Sequence, residues 1–332
     1  MLGRLQNDVD DGKGTRVAEE NEALAAVRAE VAKAVKGQEP VVFGVLAALL
    51  VHGHVILEGV PGVAKTLLVK ALGRSLSLDF RRIQFTPDLM PSDVTGNMVY
   101  ESATGAFHFR PGPLFTNLVL ADEINRTPPK TQAALLEAME ERQVTVEGEA
   151  HPLPSPFLVV VTQNPIEFEG TYPLPEAQLD RFLLKLRVGY PGPEPEQEVL
   201  RMHHEGRDPH DLAALGVRPV AGAAALEAAA REVVGITVAE ELFGYIWALA
   251  DQTRRSPSLA LGVSPRGAAM LLNVAKAWAY LSGRAFVTPD DVKALVKPAW
   301  RHRVVLRPEV EMEGATTDAV LDGVVERVPV PK

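Results

Sequence analysis

Hydrophobic positions along the chain follow two different spacings, and the change from one to the other lies near residue 190. Before it, short β-branched runs recur at intervals, and each is followed by a turn or a helical stretch. Because these runs alternate little, they predict strands buried on both faces, as in a parallel sheet covered by helices. Five runs predict a three-layer α/β domain. They are residues 55–57, 82–85, 118–121, 158–161 and 182–184.

The segment before the first run is predicted to hold a tail and two helices. Residues 1–16 are polar and rich in Asp and Gly, which predicts a flexible, solvated tail. Helical spacing then places apolar side chains on one face between residues 19 and 35, and residues 37–40 break that pattern before a second apolar helix. The apolar face consists of Leu24, Val27, Val31 and Val35. The α/β domain is therefore expected to span residues 17–190.

Residues 191–332 are predicted to form a small helical domain with a short Pro-rich tail. Residues 190–195 are rich in Pro and Gly, which is typical of a linker. The sequence that follows is rich in Ala and Leu at helical spacing, whereas residues 304–330 predict no particular element. Helices are predicted at residues 223–233, 239–253, 265–282 and 289–300, with Trp247, Trp278 and Trp300 packed among them.

Composition narrows the class of protein. The 332 residues are 46% hydrophobic and 23% charged, as in ordinary globular proteins, and the net charge of −9 argues against non-specific binding to nucleic acid or anionic membranes. The absence of cysteine excludes disulfides, zinc thiolate sites and cysteine nucleophiles. The polar start does not resemble a signal peptide, and the longest apolar run, residues 41–51, is too short to span a bilayer. We therefore expect a cytoplasmic protein.

A glycine-rich loop joins the first predicted strand to a helix. Backbone N–H groups in such a loop wrap phosphates at a helix N-terminus. Lys65 would reach the β- and γ-phosphates, and the Thr66 hydroxyl would bind Mg²⁺. Ala64 stands where the general pattern has a second glycine, and an alanine at positive φ costs about 1 kcal/mol. The alternative is a loop that only resembles a phosphate loop. The candidate nucleotide-binding residues are Gly59, Pro61, Gly62, Val63, Ala64, Lys65, Thr66 and Leu67.

Polar side chains also follow two later strands. Asp122 and Glu123 end the run at residues 118–121; Asp122 would position Mg²⁺ through water, and Glu123 would polarise the attacking water as a base. Two acids after a strand are common by chance, and their joint occurrence with Lys65 gives them weight. Asn164 follows the next run and would orient the water, although a turn-forming asparagine is the alternative.

Two arginines occupy positions that invite a role in catalysis. Arg181 lies at the start of the last predicted strand, where it is either a surface residue or, in a ring-forming ATPase, an arginine finger that reaches a neighbour's γ-phosphate. Arg266 lies in the first turn of a predicted helix that begins at Ser264 and Pro265. Because a cation is unfavourable at that end of the helix dipole, an anionic phosphate partner is expected.

Together these segments resemble AAA+ ATPases and, among them, the MoxR family. The resemblance covers roughly residues 20–305, and family members typically carry alanine at the position of Ala64, so that departure is shared. Its motifs are LEGVPGVAKT at residues 57–66, QFTPDLMPSD at 84–93, ADEINR at 121–126, TQNPIE at 162–167 and PEAQLDRF at 175–182.

The resemblance implies a homo-hexameric ring that hydrolyses ATP to ADP with Mg²⁺. Asn164 would be sensor 1, Arg266 sensor 2 and Arg181 a finger in trans, while Gln38 would contact adenine. The five strands of the sheet would lie in the order 5-1-4-3-2. A helix-2 insert is expected at residues 92–113 and a pre-sensor hairpin at 143–153.

The implied role is chaperone-like remodelling or maturation of protein complexes, including insertion of metal, with von Willebrand factor A domain proteins as frequent partners of the family. A chelatase-like or helicase-like motor stays open as an alternative, against which the acidic charge and residues 87–93 speak. A nucleotide-gated scaffold that scarcely hydrolyses is the alternative from a different class. Phe107 and Phe109 are expected either to line a ring pore or to pack within the insert, and His203 with His204 to be solvated.

Overall fold

The computed structural model describes residues 11–164 and 172–331, with the side chains of residues 11–20 excepted. The tail prediction for residues 1–10 and the motif residues 165–167 lie outside this range. The helices are α1 (Asp11–Ala34), α2 (Glu39–Leu50), α3 (Lys65–Ser75), α4 (Pro91–Thr95), α5 (Pro129–Glu141), α6 (Glu176–Leu179), α7 (Pro193–His204), α8 (Ala223–Val234), α9 (Glu240–Arg255), α10 (Pro265–Leu281), α11 (Pro289–Trp300), α12 (Pro308–Met312) and α13 (Thr317–Arg327). The strands are β1 (Val55–Glu58), β2 (Phe80–Gln84), β3 (Gly96–Glu101), β4 (Ala106–Pro111), β5 (Leu118–Asp122), β6 (Gln143–Val146), β7 (Glu149–Pro152), β8 (Leu158–Gln163), β9 (Leu184–Arg187), β10 (Leu259–Leu261) and β11 (Val305–Leu306).

A parallel five-stranded sheet forms the centre of the α/β domain. Its strands lie in the order β2-β5-β8-β1-β9, and each neighbouring pair is parallel. Numbered along the chain, these five strands have the order 5-1-4-3-2, so this prediction is confirmed. The apolar residues of β1, β5 and β8 are buried on both faces of the sheet, as their continuous hydrophobic runs predict.

Three predicted boundaries differ from the structure. The first helix begins at Asp11, inside the expected tail. Residues 11–18 lack apolar periodicity, so their sequence did not indicate that they belong to the helix. The expected linker at residues 190–195 overlaps α7, whose first turn tolerates proline because no helical N–H bond is lost there. The last strand of the sheet begins at Leu184 rather than at Phe182, which lies in the preceding turn.

Two β-hairpins project from the α/β domain at the predicted positions. The first, β3–β4, follows α4, and the second, β6–β7, turns at Glu147 and Gly148, which both have positive φ. The Phe109 ring stacks on His151 at 4.0 Å between centroids and so joins the two hairpins. Phe109 therefore packs, whereas Phe107 is exposed beside Tyr100.

The helical region shares a hydrophobic core with the first three helices. Buried residues of α8, α9, α10 and α11 belong to one cluster with those of α1, α2 and α3 and with one face of the sheet. Trp300 is fully buried, and Trp278 contacts Phe43 of α2 with ring centroids 4.3 Å apart. The expectation for Trp247 is wrong, because its side chain is 59% exposed. It lies on the outer face of α9, next to Ile246, which points inward.

Residues 304–330, for which the sequence predicted no element, contain β11, α12 and α13. Strand β11 pairs with β10, and α13 packs against α11 and α9 through Leu321 and Val324. Within the described part of the chain, no helix combines the length and apolar character needed to cross a bilayer.

His54, directly before β1, is a buried histidine held in one protonation state. Its Nδ1 accepts the Val159 N–H at 3.0 Å, and its Nε2 lies 3.2 Å from the Met139 carbonyl oxygen. The neutral imidazole with a proton on Nε2 satisfies both contacts. Burial lowers the pKa of His54 to about 4, whereas the unfolded chain titrates near its ordinary value of about 6.5.

We expect His54 to make the protein less stable in acid. Between these two pKa values the unfolded state binds the extra proton, so the free energy of unfolding falls as the pH falls through this window, by up to about 3 kcal/mol. Urea unfolding of the wild type and of His54→Gln at about pH 7 and about pH 5 measures the effect. The variant should lose less stability on acidification, and His204→Gln, at an exposed site, should behave like the wild type. An equally steep loss in His54→Gln would contradict the assignment.

Candidate functional site

A cavity of about 660 Å³ lies at the carboxyl ends of β1, β5 and β8, a volume typical of small-molecule sites. The carboxyl edge of a parallel sheet is where α/β proteins bind ligands. The glycine-rich loop follows β1, the two acids end β5, and Asn164 follows β8. Of the predicted nucleotide, metal and catalytic residues, those that line the cavity are Gln38, Pro61, Gly62, Val63, Ala64, Lys65, Thr66, Leu67, Asp122, Glu123 and Asn164.

Two residues of the glycine-rich loop have positive φ, which curves the backbone so that successive N–H groups can face one side. Gly62 has φ +85° and Ala64 has φ +62°, so the predicted left-handed alanine is present at the N-cap of α3. Gly59 does not line the cavity; a Cβ there would lie 2.4 Å from the Val188 carbonyl oxygen, so the close approach to β9 requires glycine. The Lys65 ammonium lies over the loop and donates to the Gly59 and Val60 carbonyls at 2.5 and 3.1 Å.

Asp122 is held by groups on both neighbouring strands. Its Oδ2 forms an ion pair with Arg82 of β2 at 2.6 Å, and its Oδ1 accepts the hydroxyl of Thr162 on β8. The same Thr162 oxygen accepts the backbone N–H of Glu123 at 3.1 Å. Thr162 thus links the two acids and fixes the end of β5.

Glu123 lies in a strained backbone conformation, with φ +59°. Its Oε2 accepts from the Gln84 amide at 2.7 Å and pairs with Arg126 at 3.2 Å. A non-glycine residue in this region costs on the order of 1 kcal/mol, and such strain clusters at functional sites. Glu123 and Ala64 are two of the non-glycine residues at positive φ, and both line the same cavity.

Sequence reasoning missed Arg82, Gln84 and Thr162. Gln84 pairs in register with Asp122, and Arg82 lies two residues before Gln84 on the same face of β2. The sequence carried a signal for Arg82 and Gln84. These polar side chains alternate at the end of β2, whereas the central strands of the sheet are apolar. Their contact with the acids depends on strand order and register, which the strand pattern alone does not supply.

The wall opposite the glycine-rich loop comes from α7 and its flanking segments. His203 lies on this wall. The sequence predicted a solvated side chain, and His203 is exposed, but it also lines the cavity. Gln38 is buried, and its amide donates to the Gly189 carbonyl at 2.9 Å, so it ties the start of α2 to the chain after β9. The wall residues that no site prediction included are Tyr190, Pro191, Glu196, Val199, Met202, His203, Pro209 and His210.

Arg181 and Arg266 lie outside this cavity, at a surface of their own. The Arg266 guanidinium pairs with Glu140 Oε2 at 2.8 Å, and Arg181 Nε lies 4.0 Å from the same oxygen. Arg181 also donates to the Leu136 carbonyl at 2.8 Å. The hydrogen bond from Arg266 holds the pKa of Glu140 below its ordinary value. The anionic partner of Arg266 is thus a carboxylate of α5, and we refer to Arg181 and Arg266 as the arginine pair.

The donor set suits a hard divalent cation bound together with a phosphate. Thr66 and Asp122 line one cavity, and hydroxyl and carboxylate oxygens are the ligands that Mg²⁺ prefers. The glycine-rich loop beside them leaves open space at Gly62, where a Cβ would meet no atom within 4 Å. These residues fit a nucleotide with its metal ion.

Comparisons with known proteins agree with this arrangement. The family described as "ATPase family associated with various cellular activities (AAA)" matches residues 54–184, and the AAA lid domain matches residues 251–324. The chain is 50% identical to uncharacterized protein YeaC of Bacillus subtilis over 86% of the chain and 88% of that protein. It is 39% identical to Chaperone MoxR1 of Mycobacterium tuberculosis, over 98% of the chain and 87% of that protein. A crystal structure of a Cytophaga hutchinsonii protein assigned as an ATPase superposes with a TM-score of 0.87 and 39% identity, covering 96% of this chain and 98% of that one.

The sheet, the glycine-rich loop and the lid define an AAA+ ATPase of the P-loop class, a class of nucleotide-binding proteins. Within that class, the chain belongs to the MoxR family. The family and the fold predicted from the sequence motifs are therefore confirmed.

Proposed function

We propose that this protein hydrolyses ATP to ADP and phosphate in a ring of identical subunits and uses the energy to remodel protein complexes. The observation that carries the proposal is the convergence of the glycine-rich loop, two acids and Asn164 on one cavity, with the arginine pair on a separate surface. Family membership supports the binding of a nucleotide, and the geometry adds the groups that hydrolysis requires.

Each group at the cavity has a distinct role in the proposed reaction. Backbone N–H groups of residues 62–66 and the Lys65 ammonium hold the β- and γ-phosphates. Thr66 and Asp122 would hold Mg²⁺, which neutralises phosphate charge. Glu123 takes a proton from the attacking water, and Asn164 orients that water. In the structure the Gln84 amide and Arg126 hold the Glu123 carboxylate, so hydrolysis requires it to turn toward the nucleotide.

The arginine pair completes the site of a neighbouring subunit in this proposal. None of the described residues that line the cavity is an arginine, whereas Arg181 and Arg266 approach one oxygen of Glu140 together. Guanidinium groups pair with carboxylate and phosphate oxygens in the same way, so in this proposal a neighbour's γ-phosphate replaces Glu140 as the anion between the two arginines. A hexamer is the ring that we propose, since family resemblance implies it and a finger in trans requires neighbouring subunits.

Exposed aromatic side chains on the first hairpin support action on protein. Tyr100 and Phe107 lie side by side, with ring centroids 5.2 Å apart, and both are mostly exposed. One relative carries the name chaperone. Client complexes, insertion of metal into a client and von Willebrand factor A domain partners belong to this proposal. The net charge of −9 favours protein over nucleic acid as the substrate.

The experiment that tests the proposal measures phosphate release as a function of protein concentration. With ATP and Mg²⁺ in excess, the rate per subunit should rise steeply with protein concentration and reach a plateau, because a site completed between subunits needs assembly. Light scattering in the same samples should show assembly over the same range. A rate per subunit that stays constant while the protein passes from monomer to assembly would contradict completion in trans. Absence of phosphate release from the assembled protein would favour the nucleotide-gated scaffold instead.

A further inference from the structure

Asp180, the residue before Arg181, contacts the lid at the point where the helix bearing Arg266 begins. Its carboxylate accepts the hydroxyl of Ser264 at 3.2 Å, and Ser264 is the N-cap of α10. The Ser264 oxygen in turn accepts the backbone N–H of Gly267 at 3.0 Å. One carboxylate therefore connects the turn that carries Arg181 to the helical turn that carries Arg266.

Arg303 secures the same carboxylate from inside the protein. Its side chain is 1% exposed, and Nε donates to Asp180 Oδ1 at 2.8 Å. Its terminal nitrogens donate to the carbonyls of Asp180, Phe182 and Leu183 and to that of Ala299 at the end of α11. Burial lowers the pKa of Arg303 to about 10 despite the Asp180 charge, so the guanidinium stays charged at neutral pH.

The packing leaves little freedom around this contact. A Cβ on Gly267 would lie 2.8 Å from the Arg303 Cδ, and the Trp300 indole donates to the Gly267 carbonyl at 3.0 Å. The first turn of α10 thus closes over the Arg303 side chain, and Asp180 sits at the edge where this packed region meets the arginine pair. The arginines themselves are held mainly by Glu140 and the Leu136 carbonyl, which belong to α5 of the sheet domain.

We propose that Asp180 is a positioning residue for ATP hydrolysis at a neighbouring subunit: through Ser264 and Arg303 it fixes Arg181 and Arg266 as one unit. The proposal rests on the proposed role of the arginine pair in trans. Two arginines on separate domains stabilise one phosphate only when their spacing is set before the nucleotide arrives, since misplacement of about 1 Å lowers rates on the order of a hundredfold. Asp180 does not line the cavity, so its effect would pass through the two arginines.

Asp180→Asn should lower kcat about tenfold or more while leaving the affinity of the subunit's own cavity for ATP unchanged. The amide keeps the shape of the carboxylate and loses the charge that holds Arg303 and Ser264. Phosphate release gives kcat, and titration with a fluorescent ATP analogue gives Kd. Asp180→Glu, which keeps the charge but moves it by one methylene, should have an intermediate kcat. Wild-type kcat in both variants would overturn the proposal.

Mixing experiments separate positioning from folding. A Lys65→Ala subunit cannot hold phosphate but supplies an intact arginine pair, so mixing it with Asp180→Asn should restore hydrolysis in the variant's own cavities. The matched mixture of Arg181→Ala with Lys65→Ala tests the trans role itself. If that mixture recovers activity and the Asp180→Asn mixture does not, Asp180 acts on its own cavity or on folding, and the positioning proposal fails. If neither mixture recovers activity, the proposed trans role of the arginine pair is contradicted, and the Asp180 proposal that rests on it fails with it.

A buried ion pair elsewhere in the lid provides the control for stability. Asp291 is 5% exposed and accepts two hydrogen bonds from Arg284, both at 2.6 Å. Asp291→Asn should reduce the melting temperature without lowering kcat in the assembled protein. Should Asp180→Asn fail to fold, Asp180→Glu carries the mixing test, in which lowered kcat with recovery supports the proposal and lowered kcat without recovery overturns it.

Discussion

Glu123→Gln is expected to lower ATP turnover by about a hundredfold or more and to leave ATP affinity close to that of the wild type. Glutamine has the size of glutamate but cannot take a proton from water. Binding should survive because the substitution does not touch the loop at residues 61–66, which lines the same cavity and which we propose holds the phosphates. The backbone at position 123 is fixed by Thr162 through its N–H, so the strained turn does not depend on the side chain.

Steady-state phosphate release and nucleotide titration distinguish the two effects. Glu137→Gln makes the same chemical change on an exposed face of α5 and should retain wild-type turnover. Equal phosphate release by Glu123→Gln and the wild type would remove Glu123 as the base and, with it, the proposed motor. Loss of ATP binding together with turnover would instead show that Glu123 is needed for the shape of the cavity.

Arg181→Ala is the second substitution with a large expected effect, a fall in kcat of about a thousandfold. An arginine finger stabilises charge that develops on the transferred phosphoryl group, so its loss lowers kcat far more than it changes ATP affinity. The substitution also removes a hydrogen bond to the Leu136 carbonyl, which costs about 1 kcal/mol of stability and does not account for such a loss.

A finger that acts in trans also predicts that two inactive variants can complement each other, which loss of activity in one variant does not test. Arg181→Ala subunits mixed with Lys65→Ala subunits should recover part of the hydrolysis, because intact cavities then face intact fingers at some interfaces. Arg231→Ala, on the exposed face of α8, should keep wild-type turnover and serves as the control. No recovery at any mixing ratio would count against a finger in trans.

The parts of the site that lie in one continuous segment were predictable from the sequence. The loop at residues 59–66, the pair Asp122 and Glu123, and Asn164 each follow a strand, and the strand order brings those ends together. Even the left-handed conformation of Ala64 follows from its position in the motif. These features depend on local spacing and on the geometry common to parallel sheets.

The parts that depend on tertiary register were not predictable in this way. Gln84 reaches Glu123 only because β2 lies beside β5 in a register that sets Gln84 opposite Asp122. The Arg266 partner, Glu140, lies 126 positions away on a helix of the other domain. Helix α7 was missed because two prolines in its first turn resemble a linker, although proline is well tolerated there.

The core that α1, α2 and α3 share with the lid has a consequence for how this chain moves and folds. Cutting the chain at residue 190 would separate the two predicted domains. It would also expose to water the apolar faces of α1 and α2 that pack against α8 and α10. Sheet and lid therefore form one cooperative folding unit, in which a wide hinge opening would expose buried side chains to water. In the proposed ring, such a body would tilt as a whole against its neighbours, so movements driven by ATP hydrolysis would occur at the interfaces between subunits.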